Sequence, residues 1–301
     1  MNPTTVPHHR RHAVWRALNA AALAAVLASG FGFAGGLGAS AAFAAPHDDD
    51  PFVGDVPYVP TPQDVVDTML TIAKVGPTDY LIDLGSGDGR IVVTAAAKFG
   101  ARGFGVDLNP KRIAEAVANA KAAGVTDRAQ FFQKNLFETD FSQATVVTMY
   151  LLPDINLQLR PKVLDMKPGT RIVSHDFDMG DWRPDQAITM RSADTGYSDR
   201  IYFWLVPAKV AGQWRWTEGN EHPTLTLEQS YQYLTPKLTG AKGWVAGEGT
   251  LKGDEILVTA KDTAGRLRVY TGHVTGDSIE GTIKGPGGDA PWRATRVSAA
   301  Q

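Results

Sequence analysis

The sequence predicts an α/β fold with a doubly wound, mostly parallel sheet of seven strands, followed by a small all-β domain. From residue 80 to residue 174, short apolar runs of strand length alternate with helical segments, which is typical of a parallel sheet covered on both faces. A glycine-rich turn directly follows the first of these strands. Beyond about residue 213, helical periodicity gives way to short strands joined by Gly-Asp turns, which predicts the second domain.

The first 45 residues have the organisation of a signal peptide. Three arginines among the first 16 residues precede an uncharged, Ala/Leu-rich stretch over 17–46, and Ala42-Phe43-Ala44 matches a cleavage site. We therefore expect export to the periplasm or the cell surface. An uncleaved membrane anchor is the alternative, because the stretch is long enough to span a bilayer. Residues 46–57 are expected to form a solvated linker.

The composition excludes several kinds of site. The formal net charge of −2 argues against a general nucleic-acid binder, which would need a dominant basic surface, so no nucleic-acid partner is expected. The absence of cysteine excludes disulfides, a thiolate nucleophile and a cysteine zinc site. The histidines beyond the signal lack metal-ligand spacing, so no metal site is expected; they are His47, His175, His222 and His273.

A helix is predicted after the proline-spaced lead-in at 56–60. Thr61 is expected to be its N-cap, Pro62 its first residue and Asp64 the acid of a capping box. Because apolar residues recur at helical spacing after Asp64, one face of this helix should be buried.

The strands of the predicted sheet are separated by helices with recognisable ends. A helix over 90–99, closed by Gly100, separates the first two strands, and Asn109 is expected to cap the next helix, which ends at Gly124. The last two strands should pair antiparallel and complete the sheet. The predicted strands are 80–84, 103–107, 129–133, 145–151, 171–174, 188–191 and 201–206.

Within the C-terminal part, 213–301, two segments resemble each other at an offset of 23 residues. Residues 249–256 and 272–279 both read G-x-x-x-G-D-x-I, in which Gly-Asp is a turn between short strands. This repeat predicts a β-meander that closes into a small sandwich or barrel. Helical periodicity persists only at 227–234, where a short helix is expected.

The strongest functional signal is the run 83–90, which reads Asp-Leu-Gly-Ser-Gly-Asp-Gly-Arg and takes a buried strand into a helix through three alternating glycines. Glycines are needed because side chains would keep a ligand from the backbone, while N–H groups at the helix N-terminus bind a carboxylate or a phosphate. Such a turn binds a dinucleotide or S-adenosylmethionine. A glycine turn without a ligand is the remaining interpretation.

The spacing of the motif distinguishes these ligands. A dinucleotide fingerprint, G-x-G-x-x-G, would need a glycine where the chain has Arg90, so a nicotinamide-dependent oxidoreductase is the least favoured alternative. Instead, Asp83 lies two residues before Gly85, and D-x-G-x-G-x-G resembles the first motif of class I S-adenosylmethionine-dependent methyltransferases. Asp107 ends the second strand 22 residues after Gly85, where an acid accepts hydrogen bonds from both ribose hydroxyls.

The resemblance implies a seven-strand, Rossmann-like methyltransferase domain over 58–212, with S-adenosyl-L-methionine as its cofactor. Asn135 follows the third strand, where this family places an Asp or Asn near the adenine amino group; a solvated loop asparagine is the alternative. The contacts expected on this side are Asp83, Gly85, Ser86, Gly87, Asp107 and Asn135.

Two further segments narrow the resemblance. The lead-in Tyr58-Val59-Pro60-Thr61-Pro62 and the segment 149–156, which reads Met-Tyr-Leu-Leu-Pro-Asp-Ile-Asn, are similar to those of the protein-lysine methyltransferases of mitochondrial inner-membrane proteins. The resemblance implies that Tyr58 and Thr61 close over the methionine end of the cofactor. It also implies a protein lysine as the methyl acceptor and a membrane or envelope protein as the substrate; a small-molecule acceptor is the alternative.

By the same resemblance, Tyr150 and Pro153 orient the acceptor at the end of the fourth strand. Methyl transfer is an in-line displacement at a sulfonium carbon, so alignment supplies most of the acceleration and no strong base is obligatory. A lysine must first lose a proton, which an apolar, aromatic-lined mouth favours. A core aromatic at a strand end is the alternative for Tyr150.

Ser174-His175-Asp176 does not predict a hydrolytic triad. Consecutive strand residues point to alternate faces, and the chain lacks a G-x-S-x-G elbow. We expect His175 to be a hydrogen-bonded structural histidine, with a place at the pocket edge as the alternative. Core or domain-interface positions are expected for Trp182, Trp204, Trp214 and Trp216.

The signal and the C-terminal β domain depart from the mitochondrial family. The function predicted is methyl transfer to a protein lysine. The alternative is an envelope binding module that holds an adenosyl ligand without turnover, with its β domain docked on a surface partner.

Overall fold

The computed structural model describes residues 58–299 of the 301-residue chain. The expected signal peptide (1–45) and linker (46–57) lie outside the described residues, and both stay predictions. Within 58–299, no helix combines the length and the apolar character needed to cross a membrane.

The first part of the described chain alternates helices with strands, as the sequence predicts. β4 is shorter than the expected run 145–151, so Tyr150 lies just beyond its end. The helices are α1 (Gln63–Ile72), α2 (Arg90–Phe99), α3 (Pro110–Ala122) and α4 (Pro153–Leu164). The strands are β1 (Tyr80–Leu84), β2 (Arg102–Asp107), β3 (Ala129–Gln133), β4 (Val146–Met149), β5 (Arg171–His175), β6 (Gln186–Arg191) and β7 (Ser198–Leu205).

These described strands form a seven-stranded sheet in the order β3-β2-β1-β4-β5-β7-β6. Neighbours from β3 to β5 are parallel, whereas β7 is antiparallel to both β5 and β6. The expected antiparallel pairing of the last two strands is thereby confirmed. Because the strand order reverses between β1 and β4, the loops that follow these strands diverge and leave a crevice at their carboxyl ends.

Apolar side chains cover both faces of the sheet. One cluster packs α1 and α2 against one face and includes Leu70 and Ala96. Another packs α4 and the segment after β5 against the opposite face and includes Leu159, Trp182 and Trp204. The doubly wound, mostly parallel architecture is therefore confirmed.

The start of α1 differs from the prediction. Pro62, rather than Thr61, occupies the N-cap position, and it makes no side-chain capping bond. The carboxylate of Asp194, in the loop between β6 and β7, instead accepts hydrogen bonds from the N–H groups of Gln63 and Asp64. The side chain of Asp64 bonds to the same loop rather than completing a capping box. A residue distant in sequence thus accepts the hydrogen bonds of the first N–H groups of the helix, which a neighbouring residue was expected to accept.

The C-terminal part is a closed barrel of eight strands in the order β10-β11-β12-β13-β14-β15-β8-β9. Neighbouring strands pair antiparallel, and the Gly-Asp turns lie between β11 and β12 and between β13 and β14, as the repeat predicts. Of the two architectures expected, the barrel is confirmed. Its strands are β8 (Gly212–Arg215), β9 (Thr224–Ser230), β10 (Tyr233–Thr239), β11 (Trp244–Lys252), β12 (Glu255–Asp262), β13 (Leu267–Thr275), β14 (Ser278–Lys284) and β15 (Ala290–Ala299).

The short helix expected at 227–234 is wrong. These residues belong to β9 and β10, which pair antiparallel around a tight turn at 231–232. Leu225 and Leu227 both lie in the barrel core, at the two-residue spacing of a strand. Leu227 and Leu234 have a spacing that also occurs on one face of a helix. Here they lie on neighbouring strands, and both side chains point into the barrel core.

Aromatic side chains fill the barrel. The ring centroids of Tyr270 and Trp292 are 5.4 Å apart, and those of Trp216 and Tyr270 are 5.7 Å apart, both in edge-to-face geometry. A barrel of eight strands is just wide enough for side chains to fill it, so this interior is a packed core. The expected burial of the four tryptophans is confirmed for Trp182, Trp204, Trp214 and Trp216.

Candidate active site

The loop between β1 and α2 adopts the left-handed conformation at each of its three glycines. The φ angle is 80° at Gly85, 51° at Gly87 and 77° at Gly89, a region that residues with a Cβ atom rarely occupy. A Cβ atom on Gly87 would also lie 2.4 Å from Cε2 of Tyr58, and one on Gly89 would lie 2.5 Å from Cζ of Phe131. Conformation and packing therefore both require glycine in this loop.

Asp107 lies at the carboxyl end of β2, beside the glycine loop. Its Oδ2 atom accepts a hydrogen bond from the N–H of Gly87 at 2.9 Å, and its Oδ1 atom accepts one from the N–H of Asn109 at 2.9 Å. A carboxylate oxygen has two lone pairs, so both atoms remain able to accept from a pair of neighbouring hydroxyls. The half-buried carboxylate fits the ribose-binding role that the sequence predicts.

The loop after β3 joins the same edge of the sheet. The N–H of Lys134 donates to the carbonyl of Asp107 at 3.1 Å, which brings Asn135 beside β2. Oδ1 of Asn135 accepts from the N–H of Phe137 at 3.0 Å, so this side chain caps a local turn, and its adenine contact stays a prediction. Leu108, which no sequence motif marks, is 52% exposed at this edge and offers an apolar surface for an aromatic ring.

Asp83 lies beneath the glycine loop. It is 2% exposed, and its Oδ1 atom accepts a hydrogen bond from the hydroxyl of Thr148 at 2.7 Å. Burial raises the pKa of Asp83 to about 7, with a smaller contribution from the charges of Asp107 and Asp88. A cation bound above the loop would favour the ionised form of this acid.

Ser86 is 6% exposed and ties the loop to β2. The N–H groups of Gly85 and Ser86 both donate to the carbonyl of Val106, at 2.9 and 2.8 Å. The Oγ atom of Ser86 is buried and has no hydrogen-bond partner within the described residues. A Cβ atom on Gly105 of β2 would lie 2.5 Å from this hydroxyl, so the side chain of Ser86 faces β2, and its predicted contact with the cofactor stays a prediction.

Tyr58, in the lead-in ahead of α1, covers the glycine loop. Its ring lies against Gly87 on one side, and the guanidinium of Arg112 lies 3.8 Å from its centroid. Its hydroxyl bonds to Asp88, and burial followed by the charge of Asp88 raises the pKa of Tyr58 above its usual value. The tyrosine therefore stays neutral, and its predicted contact with the methionine end of the cofactor stays a prediction.

Arg90, the last residue of the glycine motif, connects the lead-in to the glycine loop by hydrogen bonds. Its guanidinium pairs with Asp88, with Nη2 at 2.6 Å from Oδ2, and its Nη1 atom donates to the carbonyl of Thr61 at 2.8 Å. Asp88 and Arg90 belong to the glycine motif, but the motif alone does not predict this role for them. The signal that could have indicated it is their position directly beside the glycines.

The side chain of Thr61 reaches the end of β5 rather than the glycine loop. Its Oγ1 atom lies 3.1 Å from Nδ1 of His175, and Nε2 of His175 lies 3.0 Å from Oδ1 of Asp199. With both ring nitrogens engaged and 1% exposure, His175 is confirmed as a hydrogen-bonded structural histidine. Asp199 gave no local signal because it comes from β7, distant in sequence.

Tyr150 lies just past β4 and packs on the end of β5. Its hydroxyl donates to Oδ2 of Asp176 at 3.3 Å, and its ring centroid lies 4.0 Å from that of His175 and 6.1 Å from that of Phe177. Burial, followed by the charge of Asp176, raises the pKa of Tyr150 to about 12. The half-buried tyrosine therefore remains protonated near neutrality and acts as a hydrogen-bond donor rather than a base.

Asp176 adopts a left-handed backbone conformation, with φ of 58°. Its N–H donates to the carbonyl of Arg200 at 2.7 Å, and its Oδ1 atom accepts from the N–H of Arg200 at 2.8 Å, which holds this conformation. One side-chain atom of each of His175, Asp176 and Asp199, of the kind that can bind a metal ion, lies within 4.8 Å of the corresponding atoms of the other two. Strained backbone of this kind is concentrated at functional sites. In the sequence, Asp176 stands out only as a member of the run Ser174-His175-Asp176.

Pro153 is exposed at the first position of α4, three residues after Tyr150. Proline suits this position because its missing N–H would be unpaired there in any case. Its predicted part in orienting the acceptor stays a prediction.

The chain thus places two groups of polar residues at the carboxyl ends of its parallel strands. One group, around Asp107 and the glycine loop, follows β1 and β2; the other, around Tyr150 and Asp176, follows β4 and β5. They flank the reversal in strand order, which is where open α/β sheets bind their ligands.

Comparisons with known proteins agree with this arrangement. The family of the ANTKMT methyltransferase domain matches residues 83–186. A protein-lysine N-methyltransferase from Saccharolobus islandicus (strain REY15A) is 48% identical over 153 residues, which cover 50% of this chain and 95% of the relative. The chain belongs to the protein-lysine N-methyltransferase family.

Another relative of this methyltransferase matches over a smaller share of its own length. The adenine nucleotide translocase lysine N-methyltransferase of Mus musculus is 33% identical over 131 residues, which cover 43% of this chain and 56% of the mouse protein. Among solved structures, an RNA methyltransferase from Salinibacter ruber in complex with S-adenosyl-L-homocysteine is 51% identical. The match covers 50% of this chain and 96% of that one, with a TM-score of 0.48.

The matched family, together with the glycine loop and Asp107, makes this methyltransferase an S-adenosylmethionine-dependent enzyme of class I. The residues present fit this cofactor: the three-glycine loop follows β1 at the edge of the sheet, and Asp107, which is hydrogen-bonded to it, has acceptor capacity for two hydroxyls. Asp107, Ser86 and the loop would hold the adenosyl and methionine parts on the β1 and β2 side.

Proposed function

We propose that this methyltransferase transfers the methyl group of S-adenosylmethionine to lysine side chains of proteins. The observation that carries the proposal is the group formed by Tyr150, Asp176 and Asp199 across the crevice from the glycine loop. The two carboxylates attract an amine that arrives as a cation, whereas burial beside the aromatic rings favours the neutral form in which the amine reacts. The 48% identity to a protein-lysine N-methyltransferase supports the same acceptor.

The residues of the chain divide the work between binding and alignment. S-adenosylmethionine, when bound, supplies an electrophilic methyl group on a sulfonium. Asp176 attracts the lysine ammonium, and its carboxylate lies where it can take the proton that the amine must lose. The rings of Tyr150 and Phe177 exclude water, and this burial disfavours the ammonium form. Because the reaction is a displacement, holding the amine in line supplies most of the acceleration.

The test is methyl transfer from S-adenosylmethionine labelled in its methyl group to poly-L-lysine and to proteins extracted from a strain that lacks this gene. Acid hydrolysis and chromatography should then show the label as Nε-methylated lysine. Asp107→Ala should abolish transfer by weakening binding of S-adenosylhomocysteine, which calorimetry measures separately.

The possible results separate the functions considered. Label in methyl-lysine supports the proposal. Label in another amino acid or in nucleic acid, with none in lysine, contradicts the acceptor. Binding of S-adenosylhomocysteine without transfer to any acceptor supports the adenosyl-binding envelope module instead.

The proposed setting is the cell envelope, with a membrane or envelope protein as the substrate. The signal-like segment 1–45 supports export, and the mouse relative is named for methylating a lysine of the adenine nucleotide translocase. N-terminal sequencing of the purified protein tests the export. A first residue of Ala45 or Pro46 would support cleavage, whereas an intact Met1 would support an uncleaved anchor.

A further inference from the structure

We propose that the C-terminal barrel positions the loop that forms the acceptor side of the active site. This inference rests on the proposed function, because it concerns the residues to which we assign binding of the lysine. The matched family domain ends at residue 186, before β8 begins, so this contribution lies beyond the matched domain.

The loop in question runs from 176 to 185, between β5 and β6. Its first residues, Asp176 and Phe177, lie beside Tyr150. The sheet and α4 hold this beginning, because Ser174 Oγ and Asn156 Nδ2 both donate to the carbonyl of Phe177, at 2.6 and 3.2 Å.

The barrel holds the later part of the loop through the turn between β9 and β10. Nε1 of Trp182 donates to Oε1 of Gln232 at 3.0 Å, and Nε2 of Gln232 donates back to the carbonyl of Arg183 at 2.8 Å. Trp182 is 0% and Gln232 4% exposed, so both hydrogen bonds are shielded from water. Breaking them would leave buried polar groups unpaired, which destabilises this position of the loop.

Tyr231 adds a second contact from the same turn. Its ring stacks on that of Trp182 with centroids 5.9 Å apart and planes at 15°, and its hydroxyl donates to Oδ2 of Asp181 at 3.0 Å. Arg160 of α4 donates to the carbonyl of Met179 at 2.6 Å, and its guanidinium lies 5.6 Å from the Tyr231 ring. The loop is therefore enclosed between α4 and the barrel.

The turn that makes these contacts is itself fixed within the barrel. The N–H of Leu251 donates to the carbonyl of Gln232 at 2.8 Å, and Nε2 of Gln229 donates to the carbonyl of Tyr231 at 2.8 Å. Surface loops that lack such support are mobile. Since misplacing a reacting group by about 1 Å is enough to slow a displacement on the order of 100-fold, support of this loop affects the acceptor directly.

The experiment uses the full chain with Gln232→Leu. This variant removes both hydrogen bonds that the Gln232 side chain makes with the loop and fills its space with an apolar side chain of similar size. The matched control is Arg266→Gln, which removes the ion pair with Asp262 in the β12–β13 turn, at the other end of the barrel. For each protein we would measure kcat and KM with poly-L-lysine, the Kd of S-adenosylhomocysteine, and hydrogen exchange over 177–183.

For Gln232→Leu we expect the KM for poly-L-lysine to rise about 10-fold, equivalent to about 1.4 kcal/mol. The Kd of S-adenosylhomocysteine should stay unchanged, because the glycine loop lies on the other side of the crevice. Exchange over 177–183 should become faster. The control should resemble the wild type in all three measurements. Adding Trp182→Phe to Gln232→Leu should recover part of the KM, because the buried donor is then gone.

Several results would overturn the inference. It fails if Gln232→Leu leaves exchange over 177–183 unchanged, if exchange rises without any change in KM, or if cofactor affinity falls in parallel with acceptor KM. If Gln232→Leu does not fold, Tyr231→Phe removes only the hydroxyl bond to Asp181, and the same shifts are expected at smaller size. A wild type that binds S-adenosylhomocysteine but does not methylate contradicts the proposed function, and the exchange measurement still decides whether the barrel holds the loop.

Discussion

At the scale of single residues, two aspartates of the methyltransferase lie in different environments. Asp83 is buried beneath the glycine loop and has a pKa of about 7, whereas Asp176 lies half-buried at the acceptor side, bonded to Tyr150. Burial determines the protonation state of Asp83, because it disfavours the charged carboxylate. The role proposed for Asp176 depends instead on its position beside Tyr150. A separate prediction follows for each aspartate.

The pKa of Asp83 makes stability depend on pH. Folding raises this pKa from 3.8 to about 7, so the folded state holds a proton that the unfolded state releases at lower pH. The free energy of unfolding should therefore fall as the pH rises from about 4 to about 7, by up to about 4 kcal/mol from this group. Asp83→Asn keeps an oxygen for the Thr148 hydroxyl and cannot ionise. Urea unfolding at pH 5 and pH 8 should show a smaller decline in this variant; an equal decline in both proteins would contradict the assignment.

For Asp176 we expect Asp176→Asn to reduce kcat/KM with poly-L-lysine on the order of 100-fold, because the carboxylate that attracts the ammonium and takes its proton is lost. The Kd of S-adenosylhomocysteine should be unaffected. Asp178→Asn is the matched control, since this acid is exposed two residues further on and its side chain bonds only to the N–H of Gly180 in the hydrogen bonds described. Equal rates in the two variants would remove Asp176 from the acceptor site.

At the scale of elements, the glycine loop works together with the lead-in that covers it. Tyr58 fills the space beside Gly87, and Arg90 bonds to the carbonyl of Thr61. The same lead-in reaches His175 through the Thr61 hydroxyl. One short segment therefore contacts both sides of the crevice, and disturbing the loop should affect cofactor binding.

Two glycines allow strain and crowding to be separated. Gly87 and Gly124 both have positive φ, 51° and 66°, but a Cβ atom would meet Tyr58 at 2.4 Å only at Gly87, whereas it would meet nothing within 4 Å at Gly124. Alanine at either position should cost about 1–2 kcal/mol in backbone strain. Gly87→Ala should in addition weaken S-adenosylhomocysteine binding, measured by calorimetry. Unchanged binding in Gly87→Ala would mean that the contact with Tyr58 is not needed for the cofactor.

At the scale of the whole molecule, the sheet and the barrel share a buried boundary. Trp182 belongs to the sheet core and bonds to Gln232 of the barrel, and the N–H of Ala208 donates to the carbonyl of Gly253 at 2.8 Å. Two parts joined by buried polar contacts should unfold together rather than independently.

Calorimetry of the unfolding transition tests this coupling. With S-adenosylhomocysteine at about 100 times its Kd, we expect one transition that moves to higher temperature, because the ligand adds about 2.7 kcal/mol to the folded state. Two transitions, of which only one moves, would show that the barrel unfolds independently of the methyltransferase domain. That outcome would also weaken the role proposed for the β9–β10 turn.

The sequence by itself determined the sheet, the glycine loop and the enzyme class, because these depend on local patterns: apolar runs, turn glycines and an acid at a fixed distance. It failed where distant residues replace a local signal. Asp194 caps α1 in place of Thr61, and the leucines taken for a helix lie on two paired strands. A helix cap or a periodicity is predicted from neighbouring residues alone. Such a prediction cannot include a partner that lies far along the chain.

Only the tertiary structure indicated which residues form the acceptor side that we propose. Tyr150 and Asp176 follow β4 and β5, Asp199 lies in β7, and nothing in their spacing indicates that the strands bring them together. The hydrogen bond from Trp182 to Gln232, on which the proposed support of this loop rests, is likewise invisible in sequence, because the two residues lie 50 positions apart in different parts of the fold. Local chemistry is encoded in short motifs, whereas contacts across strands exist only once the chain has folded.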